Sequence, residues 1–373
     1  MFDVDFKMRQ LIVNADDFGA DAYRNRGIAE AVDAGVVTSV SVLVNGPAFD
    51  DALAHLSAWQ DRGVSVGLHA NLSEGCPVGR GLSTLCDEYG RFLGKSNAHK
   101  LLMEKGNQER EREVAREIEA QIGLLEANNI SISHLDGHQH VHVFPAVIAA
   151  AVRAAQRHGI PWLRIPEEPA TIPSALRTEE LPGVSKLHCY DLAKTPNTPS
   201  HSRGGRGWGW VLSNYCRFLP HPPPDLPLEG GGNKLLFATS SRCNSMVKRM
   251  PRNKVPPPIS LRREAAMFSS LAAAARPFLN GSAIRTTDHF RGLYLKGRLS
   301  FPRLERLLND LPAGLTELMV HPGRAPAVPG QGPFAAFSNT DREGELDVLL
   351  DHRLPEALKE KGIMLTPYPE IRS

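Results

Sequence analysis

Short apolar runs and amphipathic helical stretches take turns through the first 165 residues, and nothing else in the chain constrains its fold as much. Gln10–Ala15 (QLIVNA), Val36–Val44 (VVTSVSVLV), Val64–Ala70 (VSVGLHA), Ile132–Asp136 and Trp162–Ile165 read as strands. They are short, apolar and partly β-branched, as strands covered on both faces should be. Between them, Tyr23–Ala34, Pro47–Trp59, Glu109–Asn128 and Pro145–His158 carry helical spacing. Val114, Ile118, Ile122 and Leu125 form one stripe of the third. Strands separated by helices imply βαβ units and a parallel sheet. Regular signals return at Glu264–Leu279 (helix), Ala283–Thr287 (strand), Phe301–Leu311 (helix) and Glu317–Val320 (strand). Helices at Glu343–Asp351 and Pro355–Lys361 and a strand at Ile363–Thr366 follow, giving roughly seven βα steps in all.

The middle of the chain breaks this pattern. Pro196–Gly232 holds seven Pro and seven Gly, and from Gly230 to Arg263 there are eight Lys or Arg and no acid. A structureless stretch of that length does not belong inside a packed barrel, so residues 171–262 read as a low-order insertion or lid. Residues 9–170 and 263–366 then form the two parts of one barrel.

Composition excludes several classes of function. With 373 residues, 42% hydrophobic and 23% charged, the chain has an ordinary globular mix. Lys and Arg (43) nearly balance Asp and Glu (41), so the footprint of a general nucleic-acid binder is lacking. No apolar run approaches the roughly 18 residues that would cross a bilayer. Acidic residues early in MFDVDFKMRQLIVNADD argue against a signal peptide. The five scattered cysteines form no CxxC, which points to free thiols in a reducing cytoplasm.

Three strand ends carry residues suited to metals. Strand one ends in Asp16 and Asp17. Strand three ends in His69 with Asn71 close behind. Strand four runs into Asp136-Gly137-His138-Gln139-His140-Val141-His142. In a parallel α/β barrel these ends share one rim, where active sites sit. Two imidazoles and a carboxylate can hold a divalent ion and leave a position for water, although zinc and non-haem iron both accept such donors. Each residue has an ordinary alternative, such as a helix cap or turn for the aspartates and a structural role for His69. The histidine cluster is harder to dismiss, because buried imidazoles without partners are costly. Alternation along an extended segment would place Asp136, His138 and His140 on one side.

VNADDFG, GLH, HLDGHQHVHVFP and MVHPG, in that order, resemble the YdjC-like family of carbohydrate deacetylases, of the chitooligosaccharide-deacetylase and hopanoid-biosynthesis types. The likeness is close over residues 9–165, looser over 283–366, and absent over about 170–262. It implies an irregular (β/α) barrel of polysaccharide-deacetylase type and one divalent ion, usually magnesium with zinc as the alternative. It also implies hydrolysis of N-acetyl groups on an oligosaccharide or glycolipid. By that resemblance Asp17, His69 and His138 are the metal ligands, Asp16 is the base, and His321 of MVHPG is the acid. Gly137 and Gln139 stand where the family commonly has Ser and His. Asp136 is expected to orient an imidazole. Asn71 and His140 are candidates for substrate contact or for supporting the ligands. Asp288 and Arg291, at another expected strand end, are candidates for lining the cleft. A different metal hydrolase such as a phosphoesterase, or a sugar-binding barrel without turnover, are the alternatives, and the oligomeric state, a homodimer included, is left open.

Overall fold

A computed structural model describes residues 8–169, 259–326, 333–335 and 338–370. The insertion expected at 171–262 therefore lies, up to residue 258, outside the described residues.

Strand β1 (Arg9–Phe18) is the centre of the sheet. Its apolar half, Leu11, Ile12 and Val13, is at most 2% exposed, as expected of a strand covered on both faces. Beyond it come α1 (Ala22–Asp33), β2 (Ser39–Val42), α2 (Phe49–Asp61) and β3 (Ser65–Ala70). Next are α3 (Lys95–Leu102), α4 (Gln108–Ala127), β4 (His134–Gly137), α5 (Ile148–Arg157) and β5 (Trp162–Leu163). The second part supplies α6 (Ile259–Ala275), β6 (His289–Arg291), α7 (Phe301–Asn309), β7 (Gly314–Val320), α8 (Thr340–Leu349), α9 (Leu354–Glu360) and β8 (Ile363–Leu365). Helix α3, in the long connection after β3, has no counterpart in the sequence reading. The segment KSNAHKLL is too short and polar to give a clear period.

The strand order is β5-β4-β3-β2-β1-β7-β6, and β8 pairs the start of β1. All pairings are parallel. The sheet curls until its edges meet. Trp162 in β5 makes a parallel bridge to Arg285, just ahead of β6. There Leu163 N–H donates to Arg285 O and Arg285 N–H donates to Pro161 O, both at 2.9 Å. The strand expected at Ala283–Thr287 is thus reduced to this seam, and the regular strand falls at β6 instead. Parallel crossovers leave every strand pointing its C-terminal end at one rim, so the expected irregular (β/α) barrel is what forms.

The helices pack on the outside through the stripes their spacing implies. Val114, Ile118, Ile122 and Leu125 of α4 are fully buried. Side-chain caps start three of the described helices: Asp21 accepts from Arg24 N–H, Asn107 from Arg110 N–H and Asn339 from Asp341 N–H. No helix among the described residues is long and apolar enough to cross a membrane.

The barrel interior is more polar than an apolar strand pattern implies. Asn14, Ser41, His134, Asp136, Arg164 and Glu317 are all buried inside it. Gly67 of β3 makes room for the His134 ring, since a Cβ there would lie 2.3 Å from it. The Tyr368 ring stacks on His134 at 4.2 Å and fills the lower end of the barrel.

Candidate metal and catalytic site

Successive side chains on a strand point to opposite faces, yet Asp16 and Asp17 line one cavity. The register of β1 against β2 slips between Ala15 and Phe18, and Asp17 takes a left-handed backbone (φ 69°). Aspartate tolerates that conformation better than most residues. A bulge of this kind re-aims a side chain, and here it turns the second carboxylate to join the first.

Asp17 gathers two imidazoles. His138 Nδ1 lies 2.7 Å from Asp17 Oδ1, and His69 Nε2 lies 3.2 Å from the same oxygen. One donor atom from each residue falls within 4.8 Å of the others, and all three residues are buried. Asp136 Oδ1 is 2.7 Å from His69 Nδ1, which holds that proton on Nδ1 and leaves Nε2 to face Asp17. Burial opposes the charge of Asp17, but His138 and the Arg24 guanidinium outweigh it and hold the carboxyl well below its usual range. Burial likewise opposes a charged His69, yet Asp136 and Asp16 raise it to about 10. Acids that draw positive charge onto His69 beside the Asp17 carboxylate mark a site that suits a divalent cation. These residues fit one chemically: two nitrogens and an oxygen converge, and a carboxylate sets the tautomer of one ring. Asp16, His69 and Asp136 are also mutually close, but Arg164 occupies both of those carboxylates, which favours the Asp17 set.

Arg164, just past β5, was not expected from the sequence. It is 1% exposed, and its guanidinium meets Asp16 through two hydrogen bonds (2.7 and 2.8 Å), Asp136 at 2.7 Å and Glu317 at 2.6 Å. Burial raises the Asp16 carboxyl above its usual value in spite of Arg164. Burial also pushes Glu317 up to about 7. The signal was available: one cation in the apolar strand Trp162–Ile165 and one acid inside LTELMV can stay buried only together.

His321 follows β7, with Nε2 4.0 Å from Asp16 Oδ2. Its backbone N–H donates to Glu345 of α8 at 2.7 Å. Burial, then Arg342, hold its pKa well below the usual value, so the ring rests neutral. Lys296, which no sequence motif flagged, lines the same cavity, as do Gln139, His140 and Met319.

The extended segment expected beyond Asp136 does not exist. β4 stops at Gly137, and His138–Val143 form a tight 3-10 turn in which Gln139 and His140 are left-handed. Alternation therefore cannot describe these side chains, and the turn brings both Gln139 and His140 to the cavity. Asn71 is fully buried and points into its own loop, where it accepts from the backbone of Ser73 and Glu74 and donates to Glu74 O. Asp288 is placed at the far end of the barrel, where it accepts from Leu315 N–H at the start of β7. The expected lining role fails for it, because the strand it was to end begins only at His289. Arg291 ends β6 and donates to Phe290 O, and it is not among the residues lining the cavity.

The sequence profile of the YdjC-like protein family matches residues 10–360. Proteins named carbohydrate deacetylase are 33% identical in mouse (99% of this chain, 96% of theirs) and 33% in human (98% and 91%). One from Brevibacillus brevis is 35% identical over 46% of this chain and 66% of its own. A crystal structure described as that of a cellobiose-phosphate cleavage protein from Enterococcus faecalis covers 97% of this chain and 98% of its own. Its TM-score is 0.57 and its identity 19%, a likeness of fold. A match of this length, on a barrel whose rim joins the DD, GLH, HQH and HPG segments, means that the chain belongs to the YdjC-like family.

Proposed function

We propose that this protein is a metal-dependent carbohydrate deacetylase that hydrolyses the N-acetyl group of an amino sugar in an oligosaccharide or glycolipid. The observation that carries this reading is the division of labour between adjacent carboxylates: Asp17 is engaged by two imidazoles and Asp16 by one guanidinium. Full-length likeness to proteins named carbohydrate deacetylase supports the substrate class.

Asp17, His69 and His138 would hold the ion, which we take as magnesium with zinc as the alternative. A divalent cation supplies Lewis-acid activation of water and of the acetamide carbonyl. Asp16, left out of the ligand set, takes the proton from the attacking water. Its raised pKa makes it a stronger base than a free aspartate, and Arg164 fixes its orientation. His321 sits 4.0 Å from that carboxylate, resting neutral. It accepts the proton and delivers it to the departing amine, so that acetate and free amine leave together. Asp136 keeps His69 in the tautomer that presents Nε2. Free Cys76 and Cys86 accord with a reducing, cytoplasmic setting.

The test is acetate release from N,N′-diacetylchitobiose. Release should stop with EDTA and return on adding magnesium or zinc, the better restorer naming the ion. Acetate release indifferent to chelation, or phosphate release from sugar phosphates in its place, would overturn this reading.

A further inference from the structure

Gln139 sits between the ligand His138 and the cavity-lining His140, and both Gln139 and His140 hold left-handed backbones (φ 53° and 58°). Neither is glycine, asparagine or aspartate, so this turn is held by its surroundings, and strain of this kind gathers at ligand sites. The Gln139 side chain lines the cavity and is 7% exposed. Its Nε2 donates to Glu74 Oε1 at 2.8 Å, which fixes which way the amide faces. Its Oε1 is buried with no hydrogen-bond partner. Glu74 is itself anchored, because Asn71 accepts from Glu74 N–H and donates to Glu74 O. The other Glu74 oxygen lies 3.7 Å from His138 Nε2. Asn71, Glu74 and Gln139 thus form a relay that ends in an oriented, unsatisfied acceptor beside the metal ligands.

We infer that Gln139 is a specificity residue, whose Oε1 accepts a hydrogen bond from a ring hydroxyl of the sugar that carries the scissile acetamido group. A buried acceptor without a partner is costly, and a ligand that supplies a donor recovers that cost. Such a sugar offers a hydroxyl donor on a ring carbon next to the one that bears its acetamido group. The adjacency of Gln139 to His138 limits the contact to that same ring. The substrate class is then narrowed to N-acetylated sugars with a free hydroxyl next to the acetamido carbon. Simple acetamides, which lack it, gain nothing at this site. This rests on the deacetylase reading.

Equilibrium binding tests it without requiring turnover. Titration calorimetry of metal-loaded protein carrying Asp16→Asn, which blocks turnover and keeps the ion, with N,N′-diacetylchitobiose should show Gln139→Met raising Kd about tenfold. Metal content and thermal midpoint should match wild type. On a hydroxyl-free acetanilide the variant should equal wild type. If Gln139→Met fails to fold, Gln139→Asn carries the test, since asparagine suits the left-handed backbone and withdraws the carbonyl from the cavity. Wild-type affinity in a folded, metal-loaded variant overturns the inference alone. Weakened sugar binding in the variant, together with a wild type that never releases acetate, upholds the subsite and overturns the deacetylase reading.

Discussion

Two adjacent aspartates show how environment assigns chemistry. Asp16 and Asp17 are the same residue one peptide apart, both buried, and their acidities move in opposite directions. Asp17 meets His138, His69 and Arg24, and its charge is stabilised beyond what burial removes. Asp16 shares one guanidinium with Asp136 and Glu317, so burial wins and its pKa rises. Carboxylates pushed apart in this way commonly divide into ligand and base. Asp16→Asn should lower kcat by about 10²–10⁴-fold while leaving bound metal unchanged, because the amide keeps the shape and loses the base. Metal content by atomic emission, read beside acetate release, checks both halves. In wild type, kcat/KM should fall as pH drops through the raised Asp16 value, since the protonated acid cannot accept a proton.

At the scale of elements, the site depends on how closely α1 approaches the turn after β7. Gly27 of α1 faces Gly323, and a Cβ on it would lie 2.4 Å from the Gly323 Cα. The obstacle is backbone, so no side chain can swing aside. Two residues before Gly323 is His321, whose N–H is held by Glu345. Alanine at an ordinary helical position gains about 0.5–1 kcal/mol over glycine, whereas overpacking of this kind costs roughly 1–3 kcal/mol. The clash should therefore win. Gly27→Ala should lower the melting temperature and reduce kcat by displacing His321, with metal affinity intact. A variant as stable and active as wild type would show that this contact does not position the histidine.

The whole molecule carries a pH dependence built into its seam. Glu168, beyond β5, accepts from Gly292 N–H (3.1 Å) and Leu293 N–H (2.8 Å), tying the two edges of the sheet across the closure. Burial raises its carboxyl to about 7, although Arg291 and those amides pull the other way. The folded state thus holds this proton more tightly than the unfolded chain does. Its contribution is fully present below about pH 4.5 and fades as pH rises toward 7. The difference is on the order of 3 kcal/mol for a shift of that size. Glu168→Gln should lose less stability than wild type between pH 5 and 8. Urea unfolding at both values measures it, and equal losses in the two proteins would refute the role given to Glu168.

Most of the architecture is legible without coordinates. Apolar strand runs, helical stripes and their alternation demand a parallel sheet sheathed in helices. A parallel sheet in turn puts DD, GLH, HQH and HPG on one rim, because a crossover between parallel strands points every strand the same way. What alternation could not give are the places where the backbone departs from regular geometry. These are the bulge that turns Asp17 beside Asp16, the left-handed turn that sends Gln139 and His140 into the cavity, and the seam at Arg285 that displaces β6 and strands Asp288 at the far end. Arg164 and Glu317 belong with them. Each is a lone charge in an apolar run, 153 residues apart in sequence, and only the closed barrel joins them to Asp16 and Asp136. Local periodicity specifies which face of an element is apolar. Which buried charges meet is settled by long-range packing, where a charge is tolerated only if distant residues bring it partners.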